Sequence, residues 1–354
     1  MQRCLQLAAM AAGQVAPNPM VGAVLVYAGR IIGEGYHQKY GEAHAEVNCI
    51  NSVADADKAF IEKSTLYVSL EPCAHFGKTP PCADLIIKNN IPGVVIGCRD
   101  SFVEVSGKGI EKLQNAYCNL YTGVLEKECL ALNKRFFSFH EKQRPYIILK
   151  WAQSNDGKIA APLNPPRGGS SELTEASRLL ISNEITNRLV HKWRSEEAAI
   201  LVGTNTALLD DPSLTTRLYP RKDPLRLVID RELKLPGHLK LFDGSAGTIV
   251  FNFIKQAEQG MLLYHKLDPK ENILTQILSA LHDQQILSVI VEGGSKLLQS
   301  FIDEWLWDEA RVITNGAMEV PGGIRAPSLL NAKNVYTGQI LTDTIHYYQP
   351  VKPG

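Results

Sequence analysis

His44-Ala45-Glu46, followed by Pro72-Cys73 and then by Pro81-Cys82, is the stretch on which the reading of this chain turns. It gathers one imidazole, two thiols and a carboxylate placed two positions after the imidazole. Imidazole and thiolate suit zinc, and three protein ligands leave the fourth tetrahedral position to water, whose pKa then falls to about 7. In that scheme His44, Cys73 and Cys82 are the metal ligands and Glu46 is the catalytic proton shuttle. A closed structural site would instead need a fourth protein ligand, for which His75 is the candidate. The two cysteines are separated by eight residues, Ala-His-Phe-Gly-Lys-Thr-Pro-Pro.

The flanking pattern predicts where these groups sit. Residues 44–53 read as a helix with His44 and Glu46 near its start. Thr65–Leu70 reads as a strand running into Glu71-Pro72-Cys73, with a helix over 83–89 and a buried strand over 93–97. Ligands at helix starts fit thiolate chemistry, because unpaired amides and the helix dipole lower a thiol's pKa. Upstream, Ala16–Gly22 forms a rigid turn, then Ala23–Tyr27 and Ile31–Gly35 form a hairpin about Ala28-Gly29-Arg30. Leu5, Ala8, Ala9 and Ala12 define one face of an N-terminal helix that ends at Gly13. Cys4, Cys49, Cys98, Cys118 and Cys129 read as small buried hydrophobes.

Downstream, residues 124–140 read as one charged helix ending in aromatics. Glu141–Pro145 is a polar linker with a proline stop, which predicts two domains, 1–144 and 145–354. The second alternates strands (146–152, 198–203, 225–229, 248–251, 287–291) with helices (183–195, 273–281, 296–306), the pattern of an α/β sheet covered on both faces. A loop rich in Pro and Gly spans 162–171. No G-x-G-x-x-G is present. Instead Val289-Ile290-Val291-Glu292-Gly293-Gly294-Ser295 is a strand, a glycine pair and a helix start, where backbone amides can approach a phosphate.

Composition limits the function classes. With 45% hydrophobic and 21% charged residues over 354 positions, the chain is ordinary globular protein. Lys plus Arg and Asp plus Glu stand at 37 each, which favours a small-molecule partner over nucleic acid. Gln6 interrupts the short N-terminal apolar run and nothing approaches the roughly 20 residues of a membrane span. Seven cysteines without a secretory signal place the protein in the cytoplasm. A homo-oligomer is the expected assembly.

PNPMVGAVLV, HAEV and EPCAHFGKTPPC together resemble the deaminase domain of the bifunctional riboflavin-biosynthesis deaminase/reductases. Cytidine, deoxycytidylate and transfer-RNA adenosine deaminases share the first half of the signature but usually close it with two residues between the cysteines. In the second half, KWAQSNDG, VGTNT, DDPSLTTR and VEGG occur in the order of the same family's reductase domain. The resemblance implies a cytidine-deaminase-like three-layer domain followed by a dihydrofolate-reductase-like α/β domain. It implies zinc-dependent deamination of a diamino-pyrimidinone carrying a ribosylamino 5′-phosphate. NADPH-dependent reduction of the ribosyl to a ribityl chain would follow.

Carried over by position, Asn18, His37, Lys78 and Thr79 would meet the deaminase substrate, with Lys78 and Thr79 suited to the phosphate. Gln153, Thr206, Asp210, Gly294 and Ser295 would contact NADPH. Arg194, Leu214, Arg217 and Glu292 would contact the reductase substrate, two arginines being apt for a ribose phosphate. Lys150 and Glu292 are candidate proton donors for the reduction. Two positions depart from the family pattern: Phe102 stands where an Asn is usual, and Leu179-Leu180 where an aromatic often packs on the cofactor. The rival reading is a single-activity nucleotide or transfer-RNA deaminase with an accessory C-terminal domain.

Overall fold

The computed structural model describes residues 1–76, 80–100, 107–160 and 180–351. Lys78, Thr79, Phe102, Leu179 and the 162–171 loop therefore lie outside the described residues. The chain divides into two compact units, Met1–Arg144 and Pro145–Gly354.

The first unit opens with α1 (Gln2–Ala9), followed by the hairpin β1 (Gly22–Tyr27) and β2 (Arg30–Tyr36). Ala28 and Gly29 both have positive φ, the two-residue turn whose twist matches a hairpin. Then come α2 (Ala45–Asn51), β3 (Thr65–Leu70), α3 (Cys82–Lys88) and β4 (Gly93–Cys98). The unit ends with α4 (Lys108–Asn115), β5 (Asn119–Thr122), α5 (Glu126–Leu132) and α6 (Lys134–Lys142). The sheet order is β2-β1-β3-β4-β5, antiparallel on the β1 side and parallel across β3, β4 and β5. One face packs a core of Ala23, Leu25, Leu66, Val68, Val94 and Ile96 against α2, α3 and α4. The other carries α1 through Cys4, Leu7 and Val24.

Two expectations need correcting. The buried face of α1 is Cys4, Leu7 and Ala8, continued by Ala11. Of the other expected positions Ala9 is exposed and Leu5 and Ala12 are only partly buried, because Cys4 and Leu7 are the side chains that pack on Val24. The single helix expected over 124–140 is two, broken at Asn133. That side chain trades hydrogen bonds with the Met20 backbone in both directions at 2.8 Å, and its non-helical backbone ends α5.

The second unit begins with β6 (Tyr146–Ser154), β7 (Lys158–Ala160) and α7 (Glu184–Glu196). β8 (Ala199–Gly203), α8 (Thr204–Asp210), β9 (Leu225–Ile229) and β10 (Thr248–Asn252) follow. β11 (Ala257–Gln259), β12 (Leu262–Lys266), α9 (Ile273–Asp283), β13 (Ser288–Val291) and α10 (Ser295–Asp303) come next. β14 (Glu309–Asn315), β15 (Ile324–Arg325), β16 (Ala332–Ile340) and β17 (Asp343–Pro350) complete it. Ten strands form one sheet in the order β11-β12-β10-β9-β8-β13-β6-β14-β17-β16.

From β12 to β14 every pairing is parallel, while β11, β17 and β16 run antiparallel at the two edges. Alternate residues split the strands between two cores. Ile147, Leu149, Leu201, Val289 and Val291 face α9 and α10, while Ile148, Ile200, Val202 and Ile290 face α7 and α8. β13 enters between β8 and β6, so strand order reverses there, and ligands of open α/β sheets bind at the carboxyl ends of such strands.

Candidate functional site

In the first unit, β2 carries glycines at 33 and 35 where α2 crosses it. A Cβ on Gly35 would stand 2.2 Å from the Cys49 nitrogen, so only glycine lets the helix lie this close. That approach delivers His44, the N-cap of α2, and Glu46 in its first turn to the end of β3. Cys73 follows β3, and Cys82 is the first residue of α3.

The ligand atoms of His44, Cys73 and Cys82 all lie within 4.8 Å of one another. His44 Nδ1 is 3.6 Å from Cys73 Sγ and 3.3 Å from Cys82 Sγ. A tetrahedral zinc with N and S donors at about 2.0 and 2.3 Å has N···S edges of about 3.5 Å, so the three residues fit it. The Cys82 thiol holds Cys73 down to about 4, helped by His44 and the Cys82 amide at 3.3 Å, while the same contact raises Cys82. The pair therefore keeps a negative charge ready for a cation. His75 is exposed and lies outside this cluster, leaving three protein ligands among the described residues.

Glu46 is 3% exposed. Burial raises its pKa, and the neighbouring Cys73 charge adds to the effect, so it is poised to hold a proton. His37 is also buried, and both its ring nitrogens are engaged: Nδ1 with the Ala43 carbonyl at 3.0 Å and Nε2 with Asn18 Nδ2 at 3.1 Å. The carbonyl requires a proton on Nδ1, so Nε2 accepts from Asn18. His37 thus fixes the Asn18 amide through Nε2.

Sequence reasoning missed Glu71. Its buried carboxylate accepts backbone N–H groups from Asp100 (3.3 Å), Gly107 (3.0 Å), Gly109 (3.0 Å) and Ile110 (3.3 Å), pinning the start of α4 beside Pro72-Cys73. The one available signal was a carboxylate at a strand end beside a ligand.

In the second unit, Gln153, Thr206, Glu292, Gly294 and Ser295 meet at the carboxyl ends of β6, β8 and β13. Trp151 Nε1 donates to Gln153 Oε1 at 2.9 Å, and Gln153 Nε2 donates to Thr314 at 3.3 Å. A Cβ on Gly294, the N-cap of α10, would stand 3.5 Å from Thr206 Oγ1, so the starts of α8 and α10 are neighbours. Asp210 closes α8 one turn beyond Thr206 and is exposed.

Arg194 grips Glu292 bidentately with one edge of its guanidinium, Nε at 2.8 Å and Nη2 at 2.7 Å, while Nη1 donates to the Thr215 carbonyl at 3.4 Å. Lys150 Nζ is 3.6 Å from the same carboxylate. Burial alone would raise Glu292, but Arg194 and Lys150 overcome it and hold the carboxyl at about 2. One edge of Arg194 is thus taken up by Glu292, while Arg217, the other arginine expected to meet substrate, is exposed. Leu214 is 2% exposed, sits in the core beside α7 and α8, and has φ +52°. Leu180 is exposed.

Residues 145–329 match the RibD C-terminal domain family, and residues 1–98 the cytidine and deoxycytidylate deaminase zinc-binding region. Riboflavin biosynthesis protein RibD of Aquifex aeolicus is 40% identical, covering 91% of this chain and 87% of its own. RibD of Bacillus amyloliquefaciens is 38% identical over 94% and 87%. The crystal structure of a diaminohydroxyphosphoribosylaminopyrimidine deaminase/5-amino-6-(5-phosphoribosylamino)uracil reductase from Thermotoga maritima superposes with a TM-score of 0.86 at 36% identity, covering 99% of this chain and 97% of that one.

Proposed function

This chain belongs to the family of riboflavin biosynthesis protein RibD, and from that premise we propose which of its residues carry each reaction. It is a bifunctional enzyme of riboflavin biosynthesis, a zinc-dependent deaminase and an NADPH-dependent reductase with cytidine-deaminase-like and dihydrofolate-reductase-like folds. Residues 1–144 deaminate a diamino-pyrimidinone bearing a ribosylamino 5′-phosphate, and residues 145–354 reduce its ribosyl group to ribityl.

His44, Cys73 and Cys82 hold the zinc. When bound, zinc supplies Lewis acidity that brings the pKa of a coordinated water to about 7. Glu46 takes the proton of the attacking water and passes protons to the ring nitrogen and the departing ammonia. Asn18, oriented by His37, meets the pyrimidine, and Lys78 with Thr79 takes the phosphate. In the second unit Gln153, Thr206, Asp210, Gly294 and Ser295 hold the cofactor. NADPH, when bound, supplies the hydride that opens the sugar. Arg217, the Leu214 main chain and the Arg194–Glu292 pair hold the substrate. Glu292 is ionised at neutral pH and can only accept hydrogen bonds, so of the two candidate proton donors Lys150 is the one left.

The observation that carries the deaminase assignment is the cluster of three N and S donors beside a buried Glu46. Incubating the protein with the diamino-pyrimidinone phosphate and NADPH should release ammonia and consume cofactor. Chelation should stop ammonia release while pre-deaminated substrate still oxidises NADPH. A zinc-binding protein that NADPH does not titrate would favour the single-activity deaminase instead. Equal cation and carboxylate counts support a small-molecule substrate rather than nucleic acid. Among the described residues no helix is long and apolar enough to cross a membrane. A homo-oligomer acting in the cytoplasm completes the reading, and light scattering on the purified chain tests the assembly.

A further inference from the structure

His191 lies on α7 one turn before Arg194 and is 4% exposed. Among the described residues no hydrogen bond reaches its ring, and Nδ1 is sealed from solvent. Four charged groups act on it: Arg194 from its own helix, Arg217 from the loop after α8, Lys150 from β6 and Glu292 from the end of β13. Burial first, then Arg194, Arg217 and Lys150, push it down to about 4, with Glu292 opposing them. An unpartnered buried imidazole costs stability without a return in the free protein, the usual mark of a group kept for a ligand.

The tautomer follows from what each nitrogen lacks. A proton on Nδ1 would bury a donor with no acceptor. A proton on Nε2 leaves Nδ1 as a bare lone pair, the less costly defect, and makes Nε2–H a donor on the nitrogen that is not sealed. Its neighbours Arg194 and Lys150 both turn toward the single Glu292 carboxylate, so a further donor adds to what they offer an anion. We infer that His191 is a substrate-binding residue of the second unit, a neutral imidazole whose Nε2–H donates to an anionic oxygen of the phosphorylated substrate. This rests on the reading that the cleft beside Arg194 and Arg217 takes a ribose phosphate. The imidazole adds direction there without adding charge.

Calorimetric titration of the full-length protein with ribose 5-phosphate tests it, using wild type, His191→Gln and His191→Leu. The glutamine amide places N–H close to where Nε2–H stands. His191→Leu should bind ribose 5-phosphate ~10- to 100-fold more weakly and His191→Gln within roughly threefold of wild type, with NADPH affinity unchanged in both. The thermal midpoint of His191→Leu should match or exceed that of wild type, because the unpartnered nitrogen is gone. Unweakened binding by His191→Leu, or equal losses in both variants, overturns the role. In wild type, nitrogen NMR should show the ring neutral and Nε2-protonated when saturated with ribose 5-phosphate at pH 7. An imidazolium there overturns the inference without any variant. Wild type that does not bind ribose 5-phosphate overturns the cleft assignment itself, and the role of His191 with it.

Discussion

In the first unit three donor atoms lie within 4.8 Å of one another, on two helix starts and just past a strand end. In the second unit the assigned residues are spread over the ends of three strands, and Arg194 already has its Nε/Nη2 edge on Glu292. The first arrangement is made of side chains whose chemistry admits few alternatives. The second is made largely of backbone, glycines and shared charge, where the partner of each group decides what it does. A metal site can therefore be named from its ligands, whereas an anion cleft cannot be named from its arginines.

The sharpest break between the regions is Glu46→Gln. Removing the proton shuttle should lower ammonia release by ~100- to 10,000-fold while NADPH oxidation on pre-deaminated substrate continues. Loss of both activities in a folded variant would mean that the two sites are not independent. Next in size, Glu292→Gln takes from Arg194, whose side chain is 12% exposed, the carboxylate it is paired with. It should destabilise the second unit by about 3–5 kcal/mol, whereas Arg194→Met combined with Glu292→Leu should recover much of that loss. Denaturant unfolding followed by tryptophan fluorescence checks this, since all four tryptophans, Trp151, Trp193, Trp305 and Trp307, lie in the second unit. A single variant as stable as the double one would show that the pair is not the anchor its geometry suggests.

The same carboxylate sets an acid limit. Its folded pKa of about 2 lies below the ordinary 4.5, so its stabilisation is complete above 4.5 and is lost as pH falls toward 2. The unfolding midpoint of the second unit should drop through that window, and Glu292→Gln should lack this component. The smallest effect is at His37. His37→Phe removes the acceptor that orients Asn18 and should weaken deaminase substrate binding roughly 5- to 10-fold, about 1 kcal/mol, with zinc content unchanged. Loss of zinc in that variant would make His37 part of the metal site rather than a support for Asn18.

Legibility followed the range of the interactions. The β1–β2 hairpin could be read because two adjacent residues carry its turn. The phase of α1 could not, since alanines on every side give a helix no apolar contrast and only packing selects Cys4 and Leu7. Asn133 looked helical because the Met20 backbone it binds is 113 residues away. The pairing of Arg194 with Glu292 could not be read either, because the two are 98 residues apart. The family resemblance names Leu214, and only packing shows that its side chain lies in the core.

By itself the sequence determined the donor types, the order of elements, and a family resemblance that reached across both halves, because ligand chemistry and hydrophobic period are local properties of a chain. Only the tertiary structure decided that His37 supports Asn18, that Glu71 pins α4 beside a ligand, and that Arg194 and Lys150 share Glu292. Charge and hydrogen-bond capacity are saturable, and which group takes up which is settled by distances that exist only in the folded chain.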